Sequence, residues 1–166
     1  MLPRDTDRLR FREMTTDDLD AMADLLGDPT VMTYYPAPKS RDDAAAWIEW
    51  NRANYAHWGY GLWIIETHDG EFVGDCGLTW QTVNDTRRLE VGYHVVTRWQ
   101  GRGLATEAAA ACRDAARQTL EAQELIAIIH PDNAASRRVA EKIGMRRVED
   151  DRRDGHPIRH VLAMSL

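Results

Sequence analysis

Two periods of apolar spacing take turns along this chain, and their order predicts its elements. Residues 8–13 read as a first strand, and Thr15-x-x-Asp18 has the spacing of a capping box opening a short helix through Leu26 that stops at Gly27. After the rigid aromatic loop Tyr34-Tyr35-Pro36-Ala37-Pro38, Ser40-x-x-Asp43 caps a second helix. It carries Ala46, Trp47, Trp50, Ala53 and Asn54 at helical spacing and ends before Gly59. Strands over 61–67 and 71–80 follow, joined by His68-Asp69-Gly70, where Asp-Gly signals a hairpin. Beyond Asn84-Asp85-Thr86 a strand near 88–95 puts Val91, Tyr93 and Val95 on one face and Glu90, Gly92 and His94 on the other. A helix from 103 to about Glu121, a strand over 125–129, a helix over 133–143 and strands near 145–149 and 159–165 complete the chain.

The strand–helix–strand unit across 90–129 is long enough for a parallel crossover, whose hand is right-handed. The prediction is an α/β fold: a mixed, mainly antiparallel sheet of about seven strands with one central parallel pair, and about four helices. With no linker, repeat or low-complexity run, residues 1–166 are expected to form a single domain. Arg4, Asp5, Asp7 and Arg8 follow Met1 where a signal peptide would be apolar, and no apolar run approaches a membrane span. The expectation is a cytoplasmic protein without membrane contact. Cys76 and Cys112 have no Cys or His neighbour at ligand spacing, so they read as buried thiols, and no metal site is expected.

The formal net charge of −6 is unevenly placed. Residues 1–85 carry 16 acidic and 7 basic side chains, whereas 86–166 carry 11 acidic and 14 basic. The acidic total argues against nucleic acid as a partner, since duplex binding depends on neutralising phosphates. A basic half suits an anionic cofactor, and an acidic half facing it would attract a cationic amine.

The basic half holds the most informative turn, Gln100-Gly101-Arg102-Gly103-Leu104-Ala105, between a strand and an Ala-rich helix. Its glycines let a ligand approach the backbone, and the first N–H groups of the helix favour an anion such as a pyrophosphate. Arg102 adds a positive charge. A P-loop would need a lysine where Leu104-Ala105-Thr106 has none. A dinucleotide fingerprint normally follows the first strand of a parallel series, whereas this turn follows about a hundred residues of hairpin-like sequence.

Gln100-x-x-Gly103-x-Ala105 resembles the acetyl-CoA pyrophosphate loop of the GNAT superfamily of N-acetyltransferases. His130-Pro131-Asp132-Asn133-Ala134-Ala135-Ser136, followed by Glu141-Lys142-Ile143-Gly144-Met145, is similar to a segment of its RimJ/RimL-like branch. So are Asp28-Pro29-Thr30-Val31-Met32 and Asp43-Ala44-Ala45-Ala46-Trp47-Ile48 upstream. The resemblance implies a GNAT fold whose parallel pair splays apart. It implies acetyl-CoA or CoA as cofactor, held by the backbone of Gly101, Arg102, Gly103, Leu104, Ala105 and Thr106 beside Gln100. A backbone N–H near Val95 or Val96 would bind the thioester carbonyl. The activity implied is direct acetyl transfer to an amine, a protein N-terminus or a small molecule, in a ternary complex. A homodimer is a family-level expectation. The alternative is a non-catalytic CoA-binding domain acting as sensor or scaffold.

Such transfer needs a base, because alkyl amines are mostly protonated near neutrality. Glu90 is the candidate, unless it pairs with Arg88 or Arg98, and His94 is the second. Many relatives place a tyrosine acid seven residues beyond the asparagine, but that position here is Ala140. Ser136 then stands near the sulfur, as a hydrogen-bonding or relay group, or as a plain first-turn residue. Asn133 either bonds pantetheine or caps its helix. Tyr34 and Tyr35 could wall an acceptor pocket, and Asp28 and Asp42, which flank that loop, could bind the amine.

Overall fold

A computed structural model describes residues 1–120 and 122–166. Strands β1 (Leu9–Arg12), β2 (Leu62–Thr67), β3 (Phe72–Val83), β4 (Thr86–Val95), β5 (Glu124–Ile129), β6 (Arg146–Asp151) and β7 (Arg159–Ser165) form one sheet in the order β1-β2-β3-β4-β5-β7-β6. Helices α1 (Leu19–Gly27), α2 (Arg41–Trp58), α3 (Leu104–Thr119) and α4 (Ala134–Lys142) flank it. Every pairing is antiparallel except β4 with β5. This is the predicted α/β architecture, with the parallel pair at its centre.

The local signals act as their chemistry requires, with three shifts. Ser40 and Asp43 close a reciprocal capping box at the start of α2, and Gly59 ends that helix at φ 80°, a left-handed conformation suited to glycine. Thr15 and Asp18 also close a box, but it opens a 3-10 turn over Thr16–Asp18 before α1 begins. Gly27 belongs to α1 rather than stopping it. The hairpin between β3 and β4 is longer than the apolar pattern suggests. Asn84 and Asp85 take φ 44° and 66°, so two residues turn the chain and pairing continues to Val83 and Thr86. The expected end of α3 near Glu121 lies outside the described residues.

Strand register sorts the two faces. Cys76 pairs with Tyr93 and Leu78 with Val91, and the Cys76 thiol lies 3.6 Å from that of Cys112 on α3. The α3 helix therefore covers that face, and α4 joins it there, since the Tyr93 hydroxyl reaches Ser136. On the opposite face Asp75 pairs with His94 and Thr79 with Glu90, and Trp47 of α2 donates to Asp75 at 3.1 Å. Backbone pairing between β4 and β5 is confined to Glu90 with Ile126. Further along the Ile128 N–H donates to the Glu90 carboxylate instead, at 3.3 Å. The two strands have parted, and the gap connects the two faces.

Candidate active site

A cleft of about 600 Å³ opens where β4 and β5 separate. Its wall on the α3 side includes Gln100, Gly101, Gly103, Leu104, Ala105 and Thr106, and α4 adds Asn133 and Ser136. The first bond of α3 runs from the Glu107 N–H to the Gly103 carbonyl. None of the N–H groups of 101–106 has a protein acceptor among the described residues. Gly101 and Gly103 have φ 73° and 80°, left-handed conformations of the kind that build anion-binding backbone concavities. Two residues from the start of the chain brace it from behind. Arg8 donates to the Arg102 carbonyl at 2.8 Å and to Glu107 at 2.6 Å, and Thr6 bonds Glu107 at 2.6 Å. The donor set and its open backbone fit a diphosphate.

The remaining cofactor-side residues divide. The Val96 N–H donates to Val73 O at 2.9 Å, so alternation along the ladder turns the Val95 N–H the other way, into the gap beside β5. Gln100 donates to Val95 O at 2.9 Å, tying the turn to the strand. Asn133 caps α4 through its oxygen, which accepts the Ser136 N–H at 3.0 Å, and its amide nitrogen takes no protein acceptor among the described residues. One side chain can thus cap the helix and still present a donor. The Arg102 guanidinium lies over the Trp99 ring, 4.9 Å from its centre, and is not among the cleft-lining groups.

On the other face Glu90, His94, Tyr34, Tyr35, Trp47, Trp50, Thr79 and Gln81 line the cleft. Arg88 binds Glu124 and Glu149 at 2.8 and 2.5 Å, so it is not spent on Glu90. Burial pushes the Glu90 carboxyl up to about 7, against the opposing pull of the Ile128 N–H, Arg159 and His94. His94 is gripped at both nitrogens, by Asp75 on Nδ1 and by the Tyr35 hydroxyl on Nε2, each at 2.7 Å. Burial alone disfavours its imidazolium, but the Asp75 carboxylate together with Glu90 outweighs that and raises His94 above its ordinary value. Tyr35 is 40% exposed as a residue, yet its hydroxyl is turned into the cleft onto His94. Asp28 is held by Thr30 and Thr97, and Asp42 lies in the first turn of α2; neither lines the cleft.

Three of these groups are not singled out from the sequence: Asp75, Tyr93 and Arg159. Tyr93 stands on the cofactor face, where its hydroxyl bonds the Ser136 carbonyl at 2.8 Å and the Ser136 hydroxyl at 3.0 Å. The position predicted to lack a tyrosine, Ala140, is fully buried. Asp75, also fully buried, accepts from both His94 and Trp47, so Asp75→Asn turns an amide donor toward one of two donors. A loss of about 1–3 kcal/mol of stability is expected from that mismatch, measurable by urea unfolding, together with a lowered His94 pKa seen by NMR titration.

Comparison with known proteins decides the family. The family model described as an acetyltransferase (GNAT) domain matches residues 8–146. The chain belongs to the GNAT acetyltransferases. It is an acetyl-CoA-dependent enzyme of that family. YkkB of Bacillus subtilis (strain 168), described as an uncharacterized protein, is 41% identical over 155 residues, covering 92% of this chain and 90% of the relative. YnaD of the same strain, described as an uncharacterized N-acetyltransferase, is 29% identical over 143 residues, covering 86% and 81%. The crystal structure of an acetyltransferase from Agrobacterium tumefaciens str. C58 is 27% identical with a TM-score of 0.85, covering 99% of this chain and 94% of that one.

Proposed function

We propose that the enzyme transfers the acetyl group to a primary amine by direct attack in a ternary complex, with Glu90 as the base. Acetyl-CoA, when bound, supplies an activated acyl group as a thioester. The reading is carried by the position of Glu90 in the gap between β4 and β5, where the cofactor face meets the acceptor face. An ammonium with a pKa near ~8 to ~10 must lose a proton before it can attack. A carboxylate with a pKa of about 7 accepts that proton at neutral pH more readily than an ordinary glutamate would.

The other groups position and stabilise. The Val95 N–H faces the gap and can donate to an oxygen that gains charge as the amine adds. The Ser136 hydroxyl, steadied by Tyr93, stands on the cofactor side to hydrogen-bond the departing sulfur. The Asn133-x-x-Ser136 segment supports a place in the RimJ/RimL-like branch, and hence an N-terminal α-amine or a small amine as acceptor. Cys76, pushed upward by burial beside Cys112, is no nucleophile for a covalent route.

The test is thiol release from acetyl-CoA in the presence of small amines, amino acids and peptides with free N-termini, with the acetylated amine identified by mass. Release that requires an amine supports the reading. Tight acetyl-CoA binding with no release on any amine would make the domain a sensor and end it.

A further inference from the structure

The acceptor face carries a charge that the transfer chemistry leaves unused. Two arginines from the β6–β7 hairpin line the cleft, Arg153 and Arg159. Arg153 is neutralised by Asp151 at 3.0 Å. Arg159 has no ion pair and no side-chain hydrogen bond among the described residues, although it is half-buried. Its register neighbour across the strands is Asp151, whose carboxylate is taken by Arg153 and by the Asn84 N–H. A guanidinium partly withdrawn from water, with no carboxylate in contact and only the more distant Glu90 to balance it, is a standing cost that an anionic ligand relieves.

Topology places this charge opposite the reacting centre. Since β7 runs antiparallel to β5, its first residues lie beside the last residues of β5, at the end where β4 and β5 part. Ile126 pairs with both Glu90 and Ala163, and Ile128 pairs with Val161, so Arg159 shares the face of Glu90 and His94. Two strand spacings separate β4 from β7 where they are paired, roughly 10 Å, and more where β4 and β5 have parted, a span bridged by a small molecule and the length of an arginine side chain. Tyr34 reaches across to His130 at the end of β5, ring centres 5.2 Å apart, and roofs the cleft. The roof and the aromatic walls of Trp47 and Trp50 favour a compact acceptor.

We infer that the acceptor is a small amine bearing a carboxylate, an amino-acid-like molecule whose acid is clamped by Arg159 while its amine lies at Glu90. This rests on the proposed transfer reaction and narrows its substrate class. The cleft then presents a carboxylate for the amine, a guanidinium for the acid and indole faces for an apolar side chain. Planar, two-pronged donation makes arginine suited to the task and lysine a weaker substitute.

The experiment measures thiol release with L-phenylalanine, L-methionine and L-leucine, each beside its carboxamide and beside a short peptide beginning with the same residue. The acids are expected to exceed both in kcat/KM by about tenfold or more. Arg159→Met should bring the acid down to the level of its amide, through KM rather than kcat, and Arg159→Lys should recover part of the preference. Melting curves report whether each variant is folded, and the wild-type acid-to-amide ratio needs no variant at all. Amides or peptides used as well as acids by the wild type overturn the inference while leaving acetyl transfer standing, as does an Arg159→Met protein that keeps its preference. Wild type that releases no thiol with any amine overturns both.

Discussion

Glu90→Gln is expected to lower kcat for acetyl transfer by about 10²–10⁴-fold while the dissociation constant for acetyl-CoA stays where it was. Glutamine keeps the shape of the side chain and the oxygen that accepts the Ile128 N–H at 3.3 Å, so the gap between β4 and β5 is preserved. What it loses is the ability to take a proton. The cradle at 101–106 is on the other face, built from backbone donors, and does not depend on this carboxylate. A fall in kcat with unaltered cofactor affinity by calorimetry would place Glu90 in the proton step. Wild-type kcat in the variant would remove it.

The same carboxyl makes two pH predictions of definite sign. Activity should rise with pH through about 7, because only the ionised form is a base, and that limb should vanish in Glu90→Gln. Stability should move the opposite way. Burial raises the folded-state pKa from 4.5 to about 7, so between those values the folded protein holds a proton that the unfolded chain has released. Stability therefore falls as pH climbs across that window and is flat above it. The full shift corresponds to at most about 3 kcal/mol, less because water reaches the cleft. Glu90→Gln should accordingly melt several degrees higher than wild type at pH 8, and at pH 4 the two should nearly coincide. A catalyst made less stable by its own base is the pattern these measurements would reveal.

How far the sequence disclosed this site depends on which atoms do the work. Element order, both capping boxes and the Gly101–Gly103 turn follow from local chemistry, which neighbours in sequence determine, and the structure has them in place. The parity of β4 likewise put Glu90 with His94 and Tyr93 opposite, as observed. Asp75 was legible in principle, since a lone acid in the apolar run of β3 must be satisfied inside the protein. Its partners were not, because His94 and Trp47 arrive from β4 and α2 through tertiary packing. Arg8 escaped for the same reason: it braces a cradle 94 residues away. Arg159 is one of many arginines in the sequence and becomes distinctive only once Asp151 is seen to be taken by Arg153.

Gly103→Val is expected to raise the dissociation constant for acetyl-CoA by about a hundredfold or more, a loss near ~3 kcal/mol. Gly103 sits at φ 80°, where a β-branched residue is strained by about 1–3 kcal/mol, so the substitution drives the turn toward another conformation. Within the protein a Cβ there meets only Arg8 Nη2 at 3.5 Å, an ordinary contact, so internal clash is not the cause. The cost falls on the cradle, because the strained backbone re-aims the donors of 104–106. Strain and lost binding are separated by a second variant. Gly70, at φ 87° in the hairpin between β2 and β3, carries the same backbone requirement away from the cleft. Gly70→Val should therefore lose comparable stability and bind acetyl-CoA as the wild type does. If Gly103→Val also bound it normally by calorimetry, the main-chain donors entering α3 would not be what holds the diphosphate.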